Sequence, residues 1–296
     1  MARILGIAGV QMHVAYGRDH NEAMLDKLEK VAALFPWVDV IFFSELCASG
    51  LDPKRAVSIP NAALDAFCAW SKTRKKWVIP GSFYETGKKG FYNSAVVISS
   101  DGDIVAHYRK LFPWKPLENA QPGKTYCTFD IPGKGRFGLC ICYDQWFPEL
   151  ARSLACLGAE AVFCPTATIT PDRAQEIVLA RANAIANQFY WFNLNGVGDG
   201  GIGQSVFVDP EGRVLQQSGE GERIMTEIID LDFVTRVREY GTLGQCQVLK
   251  ALGHHREAFP AYGKPIRSSP VFRNLGKVKL NHRIGRLGRI DDPKSA

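Results

Sequence analysis

The sequence predicts an α/β chain with its strands and helices in layers: two β-sheets packed face to face, helices on the outer faces, and one domain. Three observations carry this. Short apolar runs rich in β-branched and aromatic residues alternate with stretches whose apolar residues recur every three or four positions. Some neighbouring strands are joined by hairpin signals, as at Asp101-Gly102, whereas others are separated by a whole helix. The chain shows no internal repeat and no low-complexity linker.

In order, Ile4–Val10 reads as a first strand, and Asp19–Leu34 as a helix through Ala23, Leu25, Leu28 and Val31. Val38–Phe43 is a near-continuous apolar run, which suits a strand covered on both faces. A helix over 61–73 follows, then strands near 77–83, 92–99 and 103–109. After a proline-rich loop (112–125) come strands near 126–131 and 136–142, a helix from about 147 and a short buried strand, Ala161–Cys164. Thr170-Pro171 offers a capping hydroxyl and a proline at the first helical position, predicting a helix that runs to about Gln188. Tyr190–Asn195 reads as a strand; Gln204–Val208, Asp209–Gly212 and Val214–Leu215 read as strand, turn and strand. A strand over 224–229 then precedes a short helix at 232–239.

With 296 residues, 46% apolar and 22% charged, the chain suffices for one large domain with a well-buried core. No apolar run is long enough to span a membrane, and the N-terminal apolar stretch lacks a signal-peptide pattern, so a cytoplasmic location is expected. Eight cysteines are scattered through core-like segments, which suits reduced thiols rather than a disulfide framework. Cys140 and Cys142 form a C-x-C with no histidine nearby, so no metal site is expected. The net charge of +6 is local: residues 263–296 carry nine basic and two acidic side chains, a net of +7, which leaves the rest at −1. This predicts a main body over 1–262 and a basic C-terminal extension over 263–296. Without aromatic interleaving or a recognition motif, the tail does not point to nucleic acid.

Three reactive side chains sit where apolar runs end: Glu45 after Val40–Phe43, Lys110 after His107-Tyr108-Arg109, and Cys142 before Tyr143-Asp144-Gln145. Base, cation and thiol are the parts of an acyl-transfer site. Along a strand, Cys140 and Cys142 would share one face, and a turn after Cys142 would expose its sulfur beside the Tyr143 amide. Lys110 opens a stiff aromatic loop that could aim it inward, to steady an oxyanion and depress the thiol pKa. Glu118 lies eight residues on, within reach of the same pocket. No histidine is placed to serve as base beside Cys142, which leaves that role to Glu45. Each residue alone also fits a plainer role, as a core thiol, a solvated strand end or a surface charge.

Together these motifs resemble the carbon–nitrogen hydrolase (nitrilase) superfamily. The matches are Phe43-Ser44-Glu45, Tyr108-Arg109-Lys110, Ile141-Cys142-Tyr143-Asp144 and Phe147-Pro148-Glu149. Tyr92-Asn93-Ser94, Arg181-Ala182 with Asn187, Asn195-Gly196, Gly203-Gln204-Ser205 and Asp209-Pro210-Glu211-Gly212 add to them, over roughly residues 3–240. The resemblance implies an αββα four-layer sandwich that pairs into an αββα–αββα homodimer, and a thioester route without metal or organic cofactor. It implies Glu45 as base, Cys142 as nucleophile, Lys110 with the Tyr143 amide at the oxyanion, and Glu118 supporting Lys110 and the substrate amide. Trp114 and Thr166 are the further expected substrate contacts.

The loop from Tyr108 to Glu118 is similar to that of aliphatic amidases and formamidases, which implies a small linear amide as substrate. Ser44 stands where a proline is commoner, and the stretch after Cys164 departs from the aliphatic amidases. Tyr143-Asp144 in place of Trp-Glu disfavours a nitrile. N-carbamoyl amine or amino-acid hydrolysis is the alternative, with Arg173 and Lys115 as candidate cations for a substrate carboxylate. A binding homologue without activity is the rival from another class.

Overall fold

The computed structural model describes residues 2–115, 117–255 and 259. The first half runs β1 (Ile4–Gln11), β2 (His13–Val14), α1 (Asn21–Leu34), β3 (Val40–Phe43), α2 (Ala62–Arg74), β4 (Trp77–Ile79), β5 (Ser82–Gly87), β6 (Gly90–Ile98) and β7 (Ile104–Arg109). The second half runs β8 (Cys127–Ile131), β9 (Gly135–Leu139), α3 (Pro148–Cys156), β10 (Ala161–Thr166), α4 (Arg173–Asn187), β11 (Tyr190–Asn195), β12 (Val197–Gly198), β13 (Val206–Val208), β14 (Val214–Gln217), β15 (Arg223–Asp230), α5 (Leu231–Tyr240) and α6 (Val248–His254).

One sheet has the order β15-β1-β3-β4-β6-β5, with β7 also on β6; the other has β14-β13-β11-β10-β9-β8. Parallel pairing of β1 with β3, and of β10 with β9 and β11, accounts for the uninterrupted apolar runs, since both faces of these strands are covered. Helices α1 and α2 cover one sheet, Met24, Leu28 and Val31 packing with Ile41, Phe43 and Val78. Helices α3 and α4 cover the other, Leu150, Leu154, Ala180 and Ala184 packing with Val162 and Trp191. The result is the expected αββα sandwich. Among the described residues, no helix is long and apolar enough to cross a membrane.

Between the sheets lies an aromatic layer. Phe42 of β3 meets Phe163 of β10 edge-on at 5.0 Å between ring centroids, and Phe207 of β13 at 5.7 Å; Phe192 of β11 meets Phe207 at 5.2 Å. Such pairs add to area burial and hold the sheets at a fixed spacing.

The structure departs from the sequence reading in four places. The strand expected over 77–83 is broken at Pro80-Gly81: Gly81 adopts φ +71, and a Cβ there would lie 1.9 Å from the Ser44 carbonyl oxygen. The strand over 136–142 ends at Leu139, so neither Cys140 nor Cys142 belongs to it. Helix α4 begins at Arg173 rather than at Pro171, with the Thr170 hydroxyl turned to the Asp172 carboxylate instead of capping an amide. Helix α6 carries no period in the sequence long enough to announce it. The expected basic extension, 263–296, lies outside the described residues.

Phe42→Ala removes the ring that joins three aromatic neighbours across the sandwich. It is expected to lower unfolding free energy by roughly 3–5 kcal/mol in urea titration; a loss under 1 kcal/mol would show that the sheets are not held by this layer.

Candidate active site

The site forms where strands of both sheets end. Just after β3, the Glu45 amide donates to the Thr166 carbonyl at the end of β10 (3.3 Å), and the Leu46 amide donates to the Ser82 hydroxyl (2.9 Å). Glu45 is thereby turned into the space between the sheets and is 3% exposed. Lys110 follows β7; its amide donates to the Asn93 carbonyl and its own carbonyl accepts from the Gly123 amide, both at 2.8 Å. These bonds keep its backbone in register with β6 and leave the side chain pointing inward, 2% exposed.

The Lys110 ammonium donates to Glu45 Oε1 and to Glu118 Oε2, each at 2.8 Å. Asn93 spans the same two carboxylates, its Nδ2 donating to Glu45 Oε1 and Glu118 Oε1 at 2.8 Å each. The Trp114 amide donates to Glu118 Oε2 (2.9 Å). Burial alone would favour neutral lysine; Glu118, Glu45 and the nearby Cys142 outweigh it and hold the ammonium well above its ordinary range. Burial likewise pushes Glu118 up, but Lys110, the Trp114 amide and Asn93 bring it below the ordinary carboxylate value.

Cys142 begins a 3-10 turn, Cys142–Trp146, and takes φ +47, a conformation uncommon for a non-glycine residue. Asp144 enforces that turn. Its Oδ2 accepts from the Ile141 amide (2.9 Å) and the Tyr108 hydroxyl (2.7 Å), and its Oδ1 from the Phe112 amide (2.9 Å). One buried carboxylate thus fastens the cysteine turn of one sheet to both flanks of Lys110 on the other. The thiol is pushed well above its ordinary value, by burial first and then by Glu45; Lys110 opposes this, Glu176 adds to it, and an amide hydrogen bond from Ala167 opposes it. The expectation that Lys110 depresses the thiol holds for its direction alone, because burial and Glu45 outweigh it. At rest the sulfur is protonated and needs a base.

The structure brings Glu45, Lys110, Glu118 and Cys142 together, with Trp114 present through its backbone and Tyr143 beside the sulfur-bearing residue. Thr166 is placed otherwise than as a substrate contact: its hydroxyl donates to the Cys164 carbonyl (3.1 Å), and only its own carbonyl serves the site, through Glu45. The hydroxyl that meets the sulfur belongs to Thr168, with Oγ1 3.8 Å from Sγ. Arg173 is neither a surface charge nor a free cation. It is 1% exposed and donates to Glu176 Oε2 (2.9 Å) and to the Gln204 carbonyl (2.8 Å), its Nε alone finding no partner. Lys115 is exposed. Asn93, Asp144, Thr168 and Glu176 are the functional residues that sequence reasoning missed. Asn93 and Asp144 lie inside motifs that carry the resemblance, and this adjacency was their only signal.

Burial pushes the Asp144 carboxyl up to about 6 from 3.8, against its hydrogen bonds from Tyr108, Ile141 and Phe112 and the Lys110 charge. The folded state therefore holds this proton more tightly than the unfolded chain. Its contribution to stability is fully present below about pH 4 and is lost as pH rises through about 6, roughly 3 kcal/mol over two units. Asp144→Asn is expected to flatten that slope in urea denaturation between pH 4 and 7, and an unchanged slope would contradict the assignment. Asn93→Ala frees both carboxylates to shift and is expected to lower kcat on the order of 10²-fold, measured beside an unchanged far-UV spectrum; wild-type kcat would deny the amide its role.

Comparison with known proteins identifies the family. The family described as carbon-nitrogen hydrolase matches residues 6–239. A formamidase of Helicobacter acinonychis (strain Sheeba) is 28% identical over 274 residues, 87% of this chain and 81% of that protein. A formamidase of Photorhabdus laumondii subsp. laumondii is 30% identical over 226 residues, 72% of this chain and 66% of that protein. Saccharomyces cerevisiae Nit3, a member of branch 10 of the nitrilase superfamily, shares the fold with a TM-score of 0.72 at 24% identity, over 80% of this chain and 94% of that one. The chain belongs to the carbon-nitrogen hydrolase family and is an amidohydrolase of C–N bonds other than peptide bonds.

Proposed function

We propose that the protein hydrolyses a small, uncharged linear amide to its carboxylic acid and ammonia through a thioester on Cys142. The observation that carries this reading is the Lys110 ammonium held at 2.8 Å by both Glu45 and Glu118 within electrostatic reach of the Cys142 thiol. A cation so fixed cannot serve as base, but it can steady negative charge that develops on a substrate oxygen without reorganising.

Glu45 takes the thiol proton, and the thiolate attacks the amide carbon. The carbonyl oxygen becomes an oxyanion beside Lys110 and the Tyr143 amide. The proton held by Glu45 passes to the amide nitrogen, the C–N bond breaks and ammonia leaves, giving the thioester. Water then gives a proton to Glu45 and its hydroxide to the acyl carbon; the C–S bond breaks, releasing the acid, and the thiol regains its proton. Glu118 steadies Lys110 and is placed to accept from the substrate amide.

A carboxylated carbamoyl substrate is not favoured, because Arg173 is engaged with Glu176 and Gln204. Pairing of two chains across α4 belongs to the same reading, supported by Val178 at 65% exposure beside Trp146 and Leu179. Light scattering at the monomer mass would remove it.

The decisive experiment follows ammonia from formamide, acetamide, propionamide, a carbamoyl amine, a carbamoyl amino acid and a nitrile, with wild type and Cys142→Ala side by side. Turnover of a simple amide by wild type alone is expected. Turnover of only a carbamoyl compound or only the nitrile would replace the substrate class, and activity in the variant would end the thioester route.

A further inference from the structure

A second set of polar groups, besides Glu45 and Lys110, reaches the sulfur. Thr168 lies two residues beyond β10, and its backbone is clamped: its amide donates to Asn195 Oδ1 (2.8 Å), and its carbonyl accepts from Asn195 Nδ2 and from the Ile202 amide (3.0 Å each). Its hydroxyl lies 2.8 Å from Glu176 Oε2, which also takes a hydrogen bond from Arg173 Nη1 at 2.9 Å. Glu176 Oε1 faces the Trp146 indole N–H at 3.4 Å. Thr168, Glu176 and Arg173 are all buried.

The direction of these bonds follows from proton counting. Burial raises the Glu176 carboxyl, while Arg173 and Thr168 oppose this; as the ion-pair partner of the guanidinium it accepts. The single hydroxyl proton of Thr168 is therefore given to Glu176, and the oxygen turns its lone pairs towards Sγ at 3.8 Å. Such an oxygen accepts from a thiol and repels a thiolate.

We infer that Thr168, oriented by the Arg173–Glu176 pair, is a positioning residue that takes the S–H bond of Cys142, fixes the sulfur in one rotamer and keeps it neutral until substrate is in place. This rests on Cys142 being the nucleophile of the proposed function and adds how its proton is held beforehand. A purely structural ion pair would need no hydroxyl interposed between it and the sulfur. The other charged or titratable groups facing the sulfur are Glu45 after β3, Lys110 after β7 and the buried Cys140 thiol.

The test reads the thiol directly, with no amide substrate. Full-length protein is treated with iodoacetamide across pH 6–10, and the rate at the Cys142 peptide is followed by mass spectrometry. Glu176→Gln removes a negative charge facing the sulfur and is expected to lower the alkylation midpoint by about one pH unit, a tenfold faster reaction at fixed pH. Thr168→Val removes the acceptor and is expected to move the midpoint the same way; Thr168→Ser keeps it and is expected to retain the wild-type profile. Where Glu176→Gln fails to fold, the Thr168 pair decides alone. An unchanged midpoint in Thr168→Val, or one that rises, overturns the inference, because the hydroxyl would then be either silent or donating to sulfur. A failure of the ammonia assay would leave this result standing, so the two readings fail separately.

Discussion

The active end of this fold depends on one buried cation. Removing an ammonium from water costs several kcal/mol, and Lys110 recovers this only because two carboxylates meet it at hydrogen-bond distance. Glu45 comes from the end of β3 and Glu118 from the loop beyond β7, so the ion triad closes only if those segments converge. Asn93 on β6 then ties the two acids to each other. The lysine is at once the electrostatic centre of the site and the reason that its acids lie where they do.

The chemistry is split between the sheets. In the proposed route Glu45, Lys110 and Glu118 come from one, and Cys142 and Thr168 from the other, so the aromatic layer around Phe42 sets the spacing between them. Apolar packing cannot set register at this precision, and polar cross-links supply it. The Glu45 amide reaches the Thr166 carbonyl, and Asp144 reaches both the Tyr108 hydroxyl and the Phe112 amide. Asp144 serves the fold and the site together: the same oxygen that binds Tyr108 accepts from the Ile141 amide and so turns Cys142 out of its strand.

Much of this was legible in the residues. Strands covered on both faces have continuous apolar runs, and a reactive group at the end of one stands out, as Glu45 does after β3; Lys110, after the largely exposed β7, stands out only through the stiff loop it opens. What failed to show depends on geometry that no period encodes. Alternation along a strand put Cys140 and Cys142 on one face, but Asp144 ends that alternation by capping Ile141. Thr166 is the expected substrate contact, but β10 ends there and the hydroxyl that meets the sulfur is that of Thr168. Arg173 reads as a candidate cation for a substrate because helical spacing cannot reveal a buried i,i+3 pair with Glu176. Asn93 becomes meaningful only once the sheet brings β6 within reach of Glu45 after β3 and of the loop carrying Glu118.

Charge balance joins the thiol's state to the choice of substrate. Around the sulfur, Glu45 and Glu118 face the single charge of Lys110, while Arg173 and Glu176 cancel behind Thr168. These five groups sum to one negative charge before any chemistry, Asp144 lying beyond them at the cysteine turn, and moving the thiol proton to Glu45 leaves that total unchanged. A thiolate formed without that transfer would add a second buried negative charge, and so would a carboxylate on the substrate near the reacting carbon. Both are opposed by the same field. On this reading, the balance that holds Cys142 neutral at rest also selects an uncharged amide, and Lys110 is kept for the one negative charge the reaction must create.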